Sequence, residues 1–86
     1  MNEMYVFNMV SVKVYSTTWC PYCKQAKDFL KANKIHFEDI NVQEDPDKAK
    51  EMIQKSGQTG VPVIDIDGRI IIGFDRPKMK ATLGLK

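Results

Sequence analysis

The stretch STTWCPYCKQAK (residues 16–27) holds both cysteines of the chain, Cys20 and Cys23, with a proline and a tyrosine between them. It follows residues 10–15, a β-branched run whose polarity alternates as in a strand, and it leads into apolar residues at helical spacing. Pro21 stands where a helix can begin, because its missing N–H would have no helical partner there anyway. The stretch therefore predicts a strand, a turn and a helix that begins at the cysteine pair.

The predicted helix start has consequences for the two sulfurs. If Cys20 is the N-cap, Tyr22 and Cys23 are the second and third helical residues, and their N–H groups face the Cys20 sulfur. These two donors and the positive helix end are expected to favour negative charge on the Cys20 sulfur. Cys23 is expected to be buried and to keep its proton. Side chains three residues apart on a first turn lie about 5 to 6 Å apart, near enough for an unstrained disulfide.

The cysteine pair has three interpretations: a structural disulfide, part of a metal site, or a redox-active dithiol. A disulfide that closes so short a loop removes little chain entropy, so stabilisation is a weak reason for the pair. A structural zinc site normally needs four ligands, whereas the sequence has no second CxxC and one histidine, His36, in a predicted strand. We favour the redox dithiol, with a metal or cluster site and an incidental pair as the alternatives.

Length and composition limit the classes of protein to consider. The 86 residues suit one domain, and 43% hydrophobic with 28% charged residues is typical of globular proteins. A net charge of +2 implies no particular partner, because nucleic-acid binders usually show a concentrated basic patch. The longest apolar run, IIIGF, is far shorter than the roughly 20 residues that span a bilayer. The N-terminus lacks the pattern of a signal peptide. We therefore expect a cytoplasmic monomer that binds neither membrane nor nucleic acid.

The rest of the chain shows the same clear turn and cap signals. They predict the following elements after the first strand: a helix from Pro21 to near Asn33, a strand at 35–42, a helix from Pro46 to Gly57, strands at 61–66 and 69–74, and a helix beginning at 75–77. Asp67-Gly68 is a strong signal for an antiparallel hairpin. The order β-α-β-α-β-β-α predicts an α/β fold, a four-stranded mixed sheet flanked by three helices. Residues 1–8 fit poorly and are treated as an N-terminal extension to a domain of residues 9–86.

The helical periodicity also separates core from surface. The apolar faces of the first two helices predict four core side chains: Phe29, Leu30, Met52 and Ile53. Another face of the first helix carries four lysines: Lys24, Lys27, Lys31 and Lys34. We interpret this lysine face as solvated, with steering of acidic partners as the alternative. Trp19 is interpreted as an aromatic that shields the dithiol, with simple packing as the alternative.

Three motifs together resemble the glutaredoxins, which have the thioredoxin fold: WCPYC after the first strand, GVPVI before the hairpin and GFD after it. The resemblance covers about residues 9–86. It implies a thioredoxin fold and a thiol–disulfide oxidoreductase, with Cys20 as the nucleophile and Cys23 as the resolving thiol. It also implies a cis peptide bond before Pro62, and pairing of the Val61 backbone with the backbone of a substrate's cysteine.

The resemblance places Gly73, Phe74 and Asp75 in the loop that holds the γ-glutamyl end of glutathione. Glutaredoxins commonly carry Gly-Gly-x-Asp-Asp there, whereas this chain has IGFDRP, with Arg76 in place of the last acid. A lysine that often precedes the active site by three residues is Thr17 here. The stretch GFDRPKM is also similar to NrdH-type redoxins, which take electrons from thioredoxin reductase and donate them to ribonucleotide reductase.

The resulting hypothesis is an enzyme that reduces mixed disulfides of proteins or of glutathione. We expect disulfide-containing proteins as partners, no bound cofactor or metal, and either glutathione, as a co-substrate, or thioredoxin reductase as the electron source. Tyr22 is expected to contact substrate, with covering of the helix start as the alternative. Three other functions stay open: an NrdH-type electron donor, a glutathione-dependent 2Fe–2S module, which CPYC disfavours in this family, and a noncatalytic interaction domain.

Overall fold

The computed structural model describes residues 10–85, so the predicted extension at residues 1–8 lies outside the described residues. Its elements follow the predicted order and are β1 Val12–Ser16, α1 Pro21–Ala32, β2 Glu38–Asn41, α2 Pro46–Ser56, β3 Val63–Ile66, β4 Arg69–Ile72 and α3 Arg76–Leu83. The strands differ from the apolar runs at their ends. β2 begins at Glu38 rather than at residue 35, because backbone pairing with β1 sets its length. In this part of the chain no helix is long and apolar enough to cross a membrane.

The four strands form one mixed sheet in the order β2-β1-β3-β4. β1 runs parallel to β2 and antiparallel to β3, with Val14 opposite Ile64, and β3 pairs with β4 as an antiparallel hairpin. The central position of β1 buries both of its faces, so that the neighbouring side chains Val14 and Tyr15 point to opposite sides and are both fully buried. The predicted α/β fold with a four-stranded mixed sheet is confirmed.

A hydrophobic core lies on each face of the sheet. The larger core packs α1 and α3 against strand residues that include Val12, Val14, Ile64, Ile66 and Ile71. The smaller core packs Met52 of α2 against Tyr15, Ile40 and Val63. Of the four predicted core residues, Leu30 and Met52 are buried and Phe29 is partly buried. The prediction for Ile53 is wrong, because Met52 takes the inward position of α2 and leaves Ile53 exposed.

Local turn and cap chemistry explains where the elements meet. Asp67 and Gly68 both have positive φ, 50° and 89°, as a two-residue type I′ hairpin turn requires. The carboxylate of Asp45 caps α2 and that of Asp75 caps α3 by accepting the N–H of the third helical residue. Gly57 ends α2 in the left-handed conformation, with φ of 75°. These local choices agree with the predicted boundaries of the helices and the hairpin.

A polar network under α2 was not predicted. The Lys55 ammonium lies 2.7 Å from the Tyr15 hydroxyl and 2.7 Å from the Asp65 carboxylate, and Tyr15 also donates a hydrogen bond to Glu51. That hydrogen bond lowers the pKa of the Glu51 carboxyl to about 2, and burial raises the pKa of Tyr15. Burial opposes the charge of Lys55, but hydrogen bonds to Asp65 and Tyr15 outweigh burial and raise the Lys55 pKa. The network ties α2 to β1 and β3.

The network leads to a prediction about stability. Lys55→Met is expected to lower the free energy of unfolding by about 1 to 3 kcal/mol, because it leaves the buried Asp65 carboxylate without its cation. Lys50→Met, at an exposed position of the same helix, is the matched control. In urea denaturation, adding Asp65→Asn to Lys55→Met should recover part of the loss. Equal stability of the two single variants would contradict a stabilising role for the network.

Candidate active site

Cys20 is the N-cap of α1, and its backbone is extended, with φ of −107° and ψ of 108°. Its sulfur accepts a hydrogen bond from the Cys23 N–H at 3.1 Å, and Pro21 occupies the first helical position as predicted. The prediction that the Tyr22 N–H is a second donor to this sulfur is wrong. The Cys20 sulfur accepts its capping hydrogen bond from the third helical residue alone. An N-cap side chain satisfies the second or the third N–H of a helix, and one sulfur aimed at one amide is the usual arrangement.

The loop before β3 lies against the Cys20 sulfur. The Val61–Pro62 peptide bond is cis, as the resemblance implied, and Pro62 is fully buried. The Cys20 thiol donates a weak hydrogen bond to the Val61 carbonyl oxygen, with 3.8 Å between sulfur and oxygen. Residues that are 41 positions apart in the sequence therefore meet at the start of α1.

The two cysteines differ sharply in their surroundings. Both are free thiols; Cys20 is half-buried, whereas Cys23 is completely buried on the inner side of α1. Burial raises the pKa of the Cys23 thiol to about 12, with the hydrogen bond to Cys20 as a second cause. The prediction that Cys23 is buried is confirmed, and the raised pKa agrees with the expectation that Cys23 keeps its proton at neutral pH. Across residues 10–85, no group of three or more His, Cys, Asp and Glu side chains is placed to share a metal ion.

The segment predicted to bind glutathione adjoins the cis-proline. The Gly73 N–H donates to the Pro62 carbonyl at 2.8 Å, and its φ of 78° is one that glycine adopts without strain. Phe74 packs edge-on against Phe29, with ring centroids 6.1 Å apart, and Asp75 caps α3. Phe74 and Asp75 therefore serve the fold, and their part in binding glutathione stays a prediction.

Three exposed apolar side chains belong to the segments that form the site. Trp19, which precedes Cys20, is 85% exposed, so both the shielding of the dithiol and the packing alternative are wrong for it, and Tyr22 is also largely exposed. Ile72, at the end of β4, is 50% exposed and was not singled out in the sequence. Strand alternation offers the signal, because Ile72 points away from the face on which Ile71 is buried. Exposed apolar side chains mark an interaction surface where they form a contiguous patch.

A charged cluster beside Cys23 was also missed. The Lys27 ammonium lies 3.0 Å from one oxygen of Asp39, and the other oxygen accepts a hydrogen bond from the buried Ser16 hydroxyl at 2.9 Å. The Lys27 side chain is only 22% exposed, whereas that of Lys24 is 77% exposed. The solvated interpretation is therefore wrong for Lys27. The available signal was the spacing of four residues from Cys23, which places both on one helix face.

The N-cap bond gives a prediction about the role of the Cys20 sulfur in folding. Cys20→Ala is expected to be less stable than Cys20→Ser by about 1 kcal/mol, because serine replaces the acceptor for the Cys23 N–H and alanine does not. Denaturant unfolding of the two variants under reducing conditions measures this difference. Equal stability would show that the capping bond contributes nothing.

The fold and the site define a class of protein: a small redoxin with a thioredoxin-like fold, a CxxC pair at a helix start and a cis-proline beside it. Residues 12–71 match the family model described as Glutaredoxin. Because this match covers more than half of the chain, the protein belongs to the glutaredoxin family. Membership of this family supports a thiol–disulfide oxidoreductase activity.

Named relatives agree with this assignment. The chain is 48% identical over 68 residues to a glutaredoxin-like 8.6 kDa protein in the rubredoxin operon of Clostridium pasteurianum, covering 79% of this chain and 91% of that protein. It is 39% identical to glutaredoxin 3 of Escherichia coli, covering 78% and 81% of the two chains. It is 38% identical to the glutaredoxin-like protein NrdH of Lactococcus lactis, covering 84% and 97%. The crystal structure of a glutaredoxin from Archaeoglobus fulgidus superimposes with a TM-score of 0.79 at 26% identity, covering 96% of each chain.

Proposed function

We propose that this protein reduces mixed disulfides of proteins or of glutathione through the Cys20–Cys23 dithiol. The observation that carries the proposal is the asymmetry of the pair: a half-buried Cys20 sulfur at a helix N-terminus and a buried Cys23 one turn behind it. The attacking sulfur has to be accessible to the substrate disulfide, whereas the resolving sulfur needs access only to the attacking sulfur. A dithiol kept reduced fits a reducing compartment such as the cytoplasm.

In the first step the Cys20 thiolate attacks one sulfur of the substrate disulfide. A bond forms between Cys20 and that sulfur, the substrate disulfide breaks, and the other sulfur leaves as a thiolate. The Cys23 N–H at 3.1 Å and the positive end of α1 stabilise negative charge on the Cys20 sulfur before the attack. The substrate is then held as a mixed disulfide.

In the second step Cys23 attacks the Cys20 sulfur of the mixed disulfide. The Cys20–Cys23 disulfide forms and the substrate thiol is released in reduced form. The burial of Cys23 protects it from outside reagents, so that the mixed disulfide on the neighbouring Cys20 is its natural target. Two electrons from glutathione or from thioredoxin reductase then restore the dithiol.

Substrate binding is assigned to the surface around the cis-proline loop. The Val61 carbonyl lies beside the Cys20 sulfur, so a substrate cysteine bonded to Cys20 would bring its own backbone to Val61 for a short β-like contact. Exposed Trp19, Tyr22 and Ile72 offer apolar area to the residues that flank such a cysteine. The disulfide-containing partner is therefore expected to be a protein as well as a glutathione adduct.

The two cysteines should have separable effects on activity. Cys20→Ser is expected to abolish disulfide reduction, because no other described sulfur is exposed enough to attack. Cys23→Ser should form the mixed disulfide and stop there, and mass spectrometry of the intact protein would detect the trapped adduct. Wild-type activity in Cys20→Ser would refute the proposal, and the serine N-cap guards against loss of folding as the explanation.

The electron donor is proposed to be glutathione, with an NrdH-type donor of electrons to ribonucleotide reductase as the second candidate. Relatives named glutaredoxin and a relative named NrdH are similarly distant from this chain. The packing of Phe74 and the capping by Asp75 favour the second candidate, because both side chains already have partners within the fold. Arg76, which lies 5.7 Å from the Phe29 ring, also departs from the usual glutathione-binding loop.

A coupled assay of NADPH consumption distinguishes the two donors. We expect turnover of a disulfide substrate with glutathione and glutathione reductase, because several relatives at 37% to 40% identity are named glutaredoxin. A parallel reaction contains thioredoxin reductase without glutathione, and omission of this protein is the control for each. Turnover with thioredoxin reductase alone would replace glutathione by the NrdH-type assignment.

A further inference from the structure

Cys23 has to lose its proton before it can attack, although burial raises the pKa of its thiol to about 12. At neutral pH the thiol form of Cys23 therefore predominates strongly over the thiolate. The resolving step therefore depends on any group that stabilises the Cys23 thiolate. One such group is Lys27, which lies one helical turn after Cys23 on α1 and whose positive charge lowers the pKa of the Cys23 thiol. The hydrogen bond to Cys20 opposes ionisation of Cys23.

Lys27 is built into the structure in a way that the other lysines of α1 are not. It follows Cys23 by one helical turn, and the fully buried Ala26 precedes it. Its ammonium is held 3.0 Å from the Asp39 carboxylate of β2, whose second oxygen is bonded to the buried Ser16. The Lys27 side chain is largely screened from solvent, so its charge acts on neighbouring groups through protein rather than through bulk water.

We propose that Lys27, held in place by Asp39, supports the resolving step by stabilising the negative charge that develops on the Cys23 sulfur. This inference rests on the proposed function, because only a dithiol mechanism uses a Cys23 thiolate. The first step does not need Lys27, since the Cys20 sulfur has its own donor in the Cys23 N–H. Lys27 therefore favours internal resolution of the mixed disulfide over its cleavage by an external thiol.

Charge and atoms balance without a further reactant. The Cys23 proton passes to solvent, the Cys23 thiolate attacks the Cys20 sulfur, and a Cys20–Cys23 bond replaces the bond from Cys20 to the substrate. The substrate sulfur leaves with two electrons as a thiolate and takes a proton from solvent. Lys27 stays protonated and Asp39 stays ionised throughout, so the pair acts through charge and transfers no proton.

The size of the effect follows from how thiols react. If loss of the charge lowers the Cys23 thiolate fraction about tenfold, the remaining thiolate is more basic and therefore a better nucleophile. With a Brønsted coefficient of about 0.4 to 0.5, this gain in nucleophilicity compensates in part for the smaller thiolate fraction. The resolving rate should then fall about three- to fourfold. Because burial, the largest cause of the raised Cys23 pKa, remains in the mixed disulfide, the same ratio should hold from about pH 6 to pH 8.

The test uses dithiobis(nitrobenzoate), an aromatic disulfide that releases a coloured thiolate in each of the two steps. In stopped-flow mixing with the reduced full chain, the first release reports attack by Cys20 and the second reports resolution by Cys23. We expect Lys27→Gln to leave the first phase unchanged within about twofold and to slow the second phase about three- to fourfold. Lys27→Arg keeps the charge and should restore the second phase. Lys31→Gln, an exposed lysine of the same helix, is the charge-matched control.

The outcomes separate the inference from the function on which it rests. An unchanged second phase in Lys27→Gln, or an equal slowing in Lys27→Arg, would overturn the role of the Lys27 charge while the dithiol mechanism stands. A wild-type protein that releases one coloured thiolate or none would contradict the dithiol mechanism, and the role of Lys27 with it. The ratio of the second-phase rates of the wild type and Lys27→Gln is expected to be the same at each pH. A ratio that changes with pH would also exclude an effect on the Cys23 thiolate.

Discussion

The hydrogen bond from the Cys23 amide to the Cys20 sulfur, 3.1 Å long, connects the folding of this chain to its chemistry. It starts α1 by satisfying an N–H that has no helical partner, next to a proline that lacks one. The same bond holds one sulfur at the positive helix end and turns the other into the core. A helix start elsewhere in this stretch would lose both the cap and the difference between the two thiols.

The sheet supplies the second half of the site. β1 ends just before the cysteine pair, and β3 begins just after Pro62; because the two strands are antiparallel neighbours, these ends lie side by side. Tyr15 opposite Val63 fixes this register, and both side chains are fully buried, which opposes any slip. Gly73 follows β4, which pairs with β3 in the hairpin, and its N–H donates to the Pro62 carbonyl. The site therefore lies where the ends of β1 and β3 adjoin, and the buried centre of the sheet holds these ends in position.

Charged side chains are used differently on the two faces of the sheet. Lys55 lies under α2 and joins Asp65 and Tyr15, so it holds one helix to the sheet. Lys27 follows Cys23 by one helical turn and joins Asp39, and in the proposed resolving step its positive charge stabilises the Cys23 thiolate. In both cases a partly buried lysine is acceptable because a carboxylate from another element pairs with it. These pairs join residues that are 10 and 12 positions apart.

The amino-acid sequence by itself determined the elements, their order, the Asp67-Gly68 turn and the cysteine pair at a helix start, because each depends on neighbours within a few residues. Only the tertiary structure decided which side chains are covered. Ile53 has the periodicity of a core residue yet is exposed, and Lys27 belongs to a lysine face yet is mostly covered. Burial depends on which distant element lies opposite a side chain. Strand register and helix packing determine which element lies opposite, and the local sequence pattern does not specify either of them.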